Sequence, residues 1–396
     1  MDFQPLPSKL AEFMHMNSPV MDPILDYLSP ADIVHYSQTS VGSNEAVNGY
    51  IFRAFSLERT LLPFFPSLDQ YDSFRDLQER TGVLISGSTA LSFFERAPPY
   101  TADSDLDLYV EQTYAHDVGS WLLTQTDYKF APGKYQDASF EKNLNATISP
   151  VSAAKLLAVD SLTVYHMRGV CGVFDFKADD GRKIQLIVAK RAPLDIILNF
   201  HSSVVMNIIG YEFAYCLFPK ATLQQRISMI CSTAGPHQQA ARDKYTARGW
   251  RMIASADELT YTERPCFEDG LRYVGDPDCW AIPLADAARR GFKVDRMHSN
   301  CALITYDNAG IKVSFDVVEC SALRHNFTLE PSMWKTYKDI LVHAARFVDH
   351  ERQELGLYDD EISEMFVTAH RFNHKYDQLL KFYSCGVAPS PWYSSP

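Results

Sequence analysis

The eight cysteines of this chain include no Cys-x-x-Cys pair, which removes the commonest spacing for structural zinc and for thioredoxin-like redox chemistry. They lie scattered from Cys171 to Cys385, several in apolar surroundings such as Tyr215-Cys216-Leu217-Phe218. That is the pattern of buried free thiols in a reducing compartment. An uninterrupted apolar run of about 18 residues is also missing. The longest approach to one, Leu194 to Phe218, is broken by Asn199, His201, Asn207 and Glu212, so no membrane role is expected. Met1 to Leu10 lacks a basic region followed by an apolar run, so no signal peptide is expected and the expected location is cytosol or nucleus. Positive charge is short as well: 37 Lys and Arg against 49 Asp and Glu leave a net charge of −12 and a pI near 5.5. An acidic surface repels a polyanion, which argues against long nucleic acid as a partner. A small nucleotide bound through metal ions is compatible with that balance. No Walker-type loop, Ser-His-Asp spacing or zinc cluster is present.

What the chain does have is core-forming material. Hydrophobic residues make up 46% and aromatic residues 13% of 396 positions, enough for two or three domains. The organisation reads as residues 1–66, a small helical module; 67–230, a central domain; and 231–396, a mixed α/β region. In the first, Ile24, Leu25 and Leu28 make a short amphipathic stripe. Ser29 is placed to cap a second helix with Pro30 at its first position. In the last, Trp280–Pro283 and the pair Ala302–Tyr306 and Ile311–Phe315, joined by a turn at Asp307–Gly310, read as strands. Gln224 to Arg248 reads as one helix, and further helices are expected over Pro331–Gly356 and Asp359–Tyr383. Arg242, Lys244, Arg248 and Arg251 fall partly on one side of the first of these, where they meet either solvent or phosphate.

Chemistry concentrates in the centre. Val83-Leu84-Ile85 is a buried-strand pattern that runs into Ser86-Gly87-Ser88 and then a helix. Gly87 permits a close backbone approach, and a helix N-terminus offers free N–H groups and a positive dipole end to phosphate. About seventeen residues later comes Asp105-Leu106-Asp107-Leu108-Tyr109-Val110. Leu106, Leu108 and Val110 share one strand face, and Asp105, Asp107 and Tyr109 the other. Two carboxylates on one face need a counter-charge, and Mg²⁺ with its preference for hard oxygen ligands is the expected one. Strand, Gly-Ser, helix and Asp-x-Asp together resemble the signature of the polymerase-β nucleotidyltransferase superfamily over residues 70–215. The resemblance implies that Gly87 and Ser88 hold a nucleoside triphosphate, and that Asp105 and Asp107 bind Mg²⁺ and act catalytically.

The superfamily mechanism also requires a third carboxylate on a neighbouring strand, so that two metal ions are clamped. The place for it is the hairpin Val173–Val188, where Asp180-Gly181 signals a two-residue turn. Ile184, Leu186 and Val188 form one face of its second strand, and Gln185 with Ile187 the other. Gln185 therefore stands where the third acid is expected, and a neutral amide cannot bridge a metal and accept a proton. With that turn, Asp175 faces Leu186 and points away, unless the turn is one residue longer. Asp316, in an apolar–Asp–apolar run, is the other alternative. Lys183, Lys190 and Arg191 flank the strand, and Lys190 is a candidate phosphate contact. After Pro193 a helix is expected whose face carries Asn199, Ser202 and Ser203, with Ser202 a candidate contact to base or ribose. His201 reads as a hydrogen-bonded structural group.

Two further resemblances cover residues 15–60 and about 20–285. Pro23-Ile24-Leu25-x-Tyr27-Leu28-Ser29-Pro30-x-Asp32-Ile33 looks like an F-box, which implies docking to a cullin–RING ligase adaptor through residues 15–60. The plain alternative is a helical hairpin that packs on the next domain. These segments, with Leu57-x-x-x-Leu61-Leu62-Pro63-Phe64-Phe65, Phe200–Asn207 and Lys244–Trp250, resemble a family of fungal, basidiomycete-like proteins. The expected fold is α+β, a nucleotidyltransferase-like mixed sheet with flanking helices behind the helical module. The expected function is that of a catalytically degenerate nucleotidyltransferase-like protein serving as a ligase substrate receptor. The rival is an active Mg-dependent transferase acting on a small molecule or protein.

Overall fold

A computed structural model describes residues 21–97, 104–148, 169–231, 238–284, 295–319 and 323–333, together with Asp359, Ser363 and Glu364. The fold is mixed α+β, with a large mixed sheet and flanking helices. The chain divides into two units, parted between Ser56 and Leu57.

The described part of the first unit is helical: α1 (Asp22–Leu25), α2 (Pro30–Ser37) and α3 (Val41–Ala54). Ser29 caps α2 as expected, its hydroxyl accepting from the Asp32 N–H at 3.2 Å, and Ser40 caps α3 through Ser43 N–H at 3.0 Å. Leu25, Ile33, Val34, Val47 and Ile51 are buried. The Arg53 guanidinium clamps both oxygens of Asp22 at 2.7 and 2.8 Å, tying α3 back to α1. Ile24, Tyr27 and Val41 stand exposed.

The second unit opens with α4 (Leu57–Leu61) and α5 (Leu68–Thr81). Ser67 caps α5, which ends at Gly82, whose positive φ of 63° turns the chain toward the sheet. The sheet's strands are β1 (Leu84–Ser86), β2 (Leu106–Glu111), β3 (Lys129–Phe130), β4 (Val170–Lys177), β5 (Lys183–Ala189), β6 (Asn207–Ile209), β7 (Phe213–Cys216) and β11 (Trp280–Pro283). Their order is β11-β7-β6-β1-β2-β5-β4-β3. Only the central β2–β5 pair is parallel; every other neighbouring pair is antiparallel.

Registers across the middle define two faces. Ile85, Leu108, Leu186 and Phe174 form one rung. On that side Phe174 packs edge-on against Phe140 of the helix α8 (Phe140–Ile148) at 5.2 Å. The rung beside it is Ser86, Asp107, Gln185 and Asp175, on the opposite face. Farther along that second face, Tyr109 and Ile187 join a core with Phe200, Val204 and Met206. Polar groups therefore occupy one end of a face whose remainder is apolar.

Between β1 and β2 runs α6 (Gly87–Phe94), and α7 (Ala115–Gln125) follows β2. Beyond the main sheet, β8 (Ile227–Met229) pairs in parallel with β9 (Arg251–Ile253). The strands β10 (Gly270–Tyr273), β12 (Cys301–Asp307) and β13 (Gly310–Ser314) form a second antiparallel sheet. The expected strand at Trp280–Pro283 and the hairpin about Asp307–Gly310 are present. Cys171, Cys216, Cys231, Cys266, Cys279 and Cys301 are free thiols.

Three expectations are corrected. The helix after Pro193 stops at Ile197 as the short α9 (Pro193–Ile197). The Asn199 amide donates back to Asp195 O at 2.7 Å, and a 3₁₀ turn at Ser203–Val205 leads into β6. Gln224–Arg248 is not one helix: a π-helical turn, Lys220–Gln225, ends at Arg226 with φ 53°, β8 intervenes, and α10 (Gln239–Ala247) follows. The Val173–Val188 hairpin has a three-residue loop, Asp179-Asp180-Gly181, closed by Ala178 N–H on Arg182 O at 3.0 Å. The expected helices beyond Met333 lie outside the described residues. No helix of the described residues is long and apolar enough to cross a membrane.

Candidate functional site

The three-residue loop decides the site's composition. A three-residue loop ending in glycine at positive φ, here Gly181 at 93°, adds one residue to the hairpin. That single residue moves Asp175 from Leu186 to Gln185 and so to the other side of the sheet. Asp175, expected to point away, shares its face with Asp107 and Gln185. The three residues occupy one rung across β2, β5 and β4. The Gln185 amide donates to Asp175 Oδ1 at 2.9 Å.

The β1–α6 turn meets the rung from the other side. Gly87 has φ 70°, and a side chain there would overlap Oδ2 of Asp107. The carboxylate thus lies against the backbone at the start of α6. The Ser86 hydroxyl donates to Asn207 O at 2.5 Å instead of capping α6, which leaves the helix start without a side-chain cap. Ser88, one residue on, is buried. Thr89 donates to Asp105 O at 2.9 Å, fixing the backbone just before β2.

Charge around Asp107 is only partly offset. Burial first, and then the neighbouring Asp105, hold the Asp107 carboxyl well above the usual carboxylate range; Lys244 and Lys183 oppose this, and Asp175 adds to it. The Lys183 ammonium stands 3.8 Å from Asp105 Oδ2. The charge of Lys244, on α10, acts on Asp107, and the same helix supplies buried Tyr245. Burial raises the Tyr245 phenol; Arg248 opposes, while Asp107 and Asp105 contribute. The His201 ring lies 5.8 Å from that of Tyr245 and bonds the Ser202 hydroxyl through Nδ1 at 2.7 Å. Burial, aided by Arg242 and Lys244, lowers the His201 pKa to about 4, so this imidazole is neutral at pH 7.

Of the residues expected from the sequence, the structure brings together Gly87, Ser88, Asp105, Asp107 and Gln185. It does not bring Lys190 there. Lys190 follows β5, five residues past Gln185, or about 16 Å along an extended strand. Ser202 is fully buried and turned to His201, not to an open surface. Asp316 lies on another sheet, in β14 (Asp316–Val318). Residues added by the structure are Asp175, Tyr245 and Lys244, the last already noted as a choice between solvent and phosphate. For Asp175 a local signal existed, since Asp180 Oδ1 accepts from Arg182 N–H at 3.1 Å, an Asx turn that widens the loop. For Lys244, far along the chain, the signal was the basic stripe alone, which does not say which surface it faces.

A two-ion centre makes a definite demand, namely carboxylates bridging ions about 3.5–4 Å apart. Asp107 and Asp175 are separated by a whole strand, or about 9–10 Å between backbones, and the strand between them carries an amide. Among the described residues, no group of three or more His, Cys, Asp or Glu side chains is placed to hold a metal ion. Asp107 and Asp175, with the Gln185 amide between them, do not form the bridging pair that two such ions need. No family model matches this chain, and neither a curated protein nor a solved structure matches it.

Proposed function

We propose that the second unit is a nucleotidyltransferase-like domain that binds a nucleoside triphosphate but has lost transfer chemistry. The observation that carries this reading is the register of Asp107 against Gln185. An amide occupies the neighbouring-strand position where the resemblance calls for a carboxylate. The start of α6 at Gly87 and Ser88, which no side chain caps, supports phosphate binding through backbone N–H groups and the helix dipole. Lys183, beside Asp105, and Lys244, whose charge reaches Asp107, supply positive charge at the same place. Among the described residues the groups beside Asp107 offer little help with proton removal from an acceptor. His201, neutral and tied to Ser202, is a weak base, and Asp175 is engaged by Gln185.

Calorimetric titration with ATP, with and without Mg²⁺, tests the reading alongside an assay for transfer of label from the α-phosphate. Binding without label transfer is the expected result. No binding under either condition overturns nucleotide recognition, and label transfer overturns the loss of chemistry.

The active-transferase rival draws on one observation, the presence of Asp175 on the face of Asp107. It requires that carboxylate to cross the width of β5, which the Gln185 hydrogen bond opposes.

For the first unit, the proposal is a docking module for a ligase adaptor, making the whole chain a substrate receptor. Exposed Ile24, Tyr27 and Val41 support it, because apolar groups left in water on so small a unit suit a partner surface. Co-purification of the intact chain with the adaptor is the expected outcome, and its failure leaves the helices a packing role only.

A further inference from the structure

The disagreement between this site and a two-ion centre has a pattern of its own. One acid of the expected set is replaced by Gln185, and two residues earlier on the same strand face stands Lys183. Its ammonium lies 3.8 Å from Asp105 Oδ2, and the two side chains are 39% and 29% exposed. Lys183 pairs in register with Lys177 of β4, and the adjacent Ile184 pairs with Leu106 of β2. The backbone thus delivers this cation to the Asp105 end of the carboxylate rung. A neutral group at position 185 and a positive one at position 183 both limit the negative charge around Asp105 and Asp107.

We infer that Lys183 is the resident counter-ion of Asp105, a tethered cation that takes the electrostatic place of a divalent ion, so that ligand binding at this site does not require one. Geometry carries the inference: a primary ammonium beside Asp105, and a neutral amide, not a third carboxylate, in register with Asp107. A divalent ion entering next to Asp105 meets this ammonium and must displace it. A polyphosphate meets Lys183 as a ready partner and needs no bridging ion. The phosphate half of this argument rests on the nucleotide reading above; the competition between Lys183 and a divalent ion does not.

Titration with Mn²⁺ alone, followed by electron paramagnetic resonance, separates the two. Wild type and Lys183→Arg are expected to bind Mn²⁺ equally weakly, because both keep the cation. Lys183→Met is expected to bind at least about tenfold more tightly, and Lys183→Met/Asp105→Asn to lose that gain. Equal Mn²⁺ affinity in wild type and Lys183→Met overturns the inference, as does tight binding by wild type. Thermal melts of each variant establish that it is folded, and Lys183→Gln replaces the methionine variant if that one is not. ATP titration in EDTA reads the second consequence, with wild type binding as well as it does in Mg²⁺. If ATP fails to bind under any condition, the nucleotide reading falls while the Mn²⁺ series still decides the role of Lys183.

Discussion

Asp107→Asn is expected to make the protein more stable, not less. The wild-type carboxylate is held against the backbone at Gly87, next to Asp105 and in the field of Asp175. Ionisation there is opposed by burial and by like charge, and Lys183 and Lys244 offset only part of the penalty. One term runs the other way. A negative group at the start of α6 gains from the helix dipole, by about 0.3–1 kcal/mol. Removing a poorly compensated, half-buried charge while keeping its shape is worth more, since each unit by which folding raises a carboxyl pKa costs about 1.4 kcal/mol. The net expectation is a gain of about 1–2 kcal/mol. Scanning calorimetry at pH 7–8 reads it as a rise in Tm of roughly 2–4 °C per kcal/mol. An unchanged or lower Tm would mean that the lysines already compensate the charge in full. A stability gain on removing a polar group is the signature of a residue kept for function.

Glu111→Gln is expected to abolish a fall in stability between pH 6.5 and 8. Glu111 ends β2 and is 5% exposed. Its Oε1 accepts from Asn326 N–H at 2.9 Å and lies 3.8 Å from Nδ1 of buried His325. Burial pushes the carboxyl up to about 8; Arg296 and the Asn326 N–H oppose, and Asp359 and Glu319 add to the rise. Burial, with Arg296 and Arg324, pushes His325 well below the ordinary imidazole value. The two groups affect stability in opposite directions. Between its unfolded pKa and about 8, Glu111 holds more proton in the folded state, so stability falls as pH rises through that window. His325 binds less proton when folded, so its contribution rises with pH up to about 6.5 and is then constant. Above about pH 6.5 only the Glu111 effect remains of the pair. A slope of about 1.4 kcal/mol per pH unit across 1.5 units gives about 2 kcal/mol. Glutamine keeps an oxygen for Asn326 N–H and has no proton to lose, so its Tm should stay flat where wild type drops by roughly 4 °C or more. Equal pH profiles for the two proteins would sink the assignment.

Strand-level features near the site were legible because they are local. The Val83–Ile85 run, the glycine turn and the alternation through Leu106, Leu108 and Val110 each follow from a few adjacent residues, and each is found as read. Failures came where side chains compete with the backbone or where distant segments meet. Asn199 and Asn207 fall within an apolar run that suits a helix. Their amides bond Asp195 O and Val204 O instead, and Asn207–Ile209 joins the sheet as β6. Arg226 ends its helical turn at positive φ while its guanidinium pairs with Glu95 and stacks 3.9 Å over the Trp250 ring. Neither partner is near it in sequence. The largest error in content came from the smallest difference in geometry, one residue in the Asp179–Gly181 loop, since strand period converts a single residue into a change of face.

The Gln185–Asp175 hydrogen bond has a consequence for how this chain can change over generations. A glutamine codon becomes a glutamate codon by a single nucleotide exchange, so a third carboxylate is one mutational step away. That step would set three acids in a row across β2, β5 and β4 and convert the donor that holds Asp175 into a group that repels it. Such a variant is penalised on arrival unless a cation comes with it. The amide therefore sets a barrier in sequence space, because gaining such a triad demands two simultaneous changes, the acid and a cation that tolerates it.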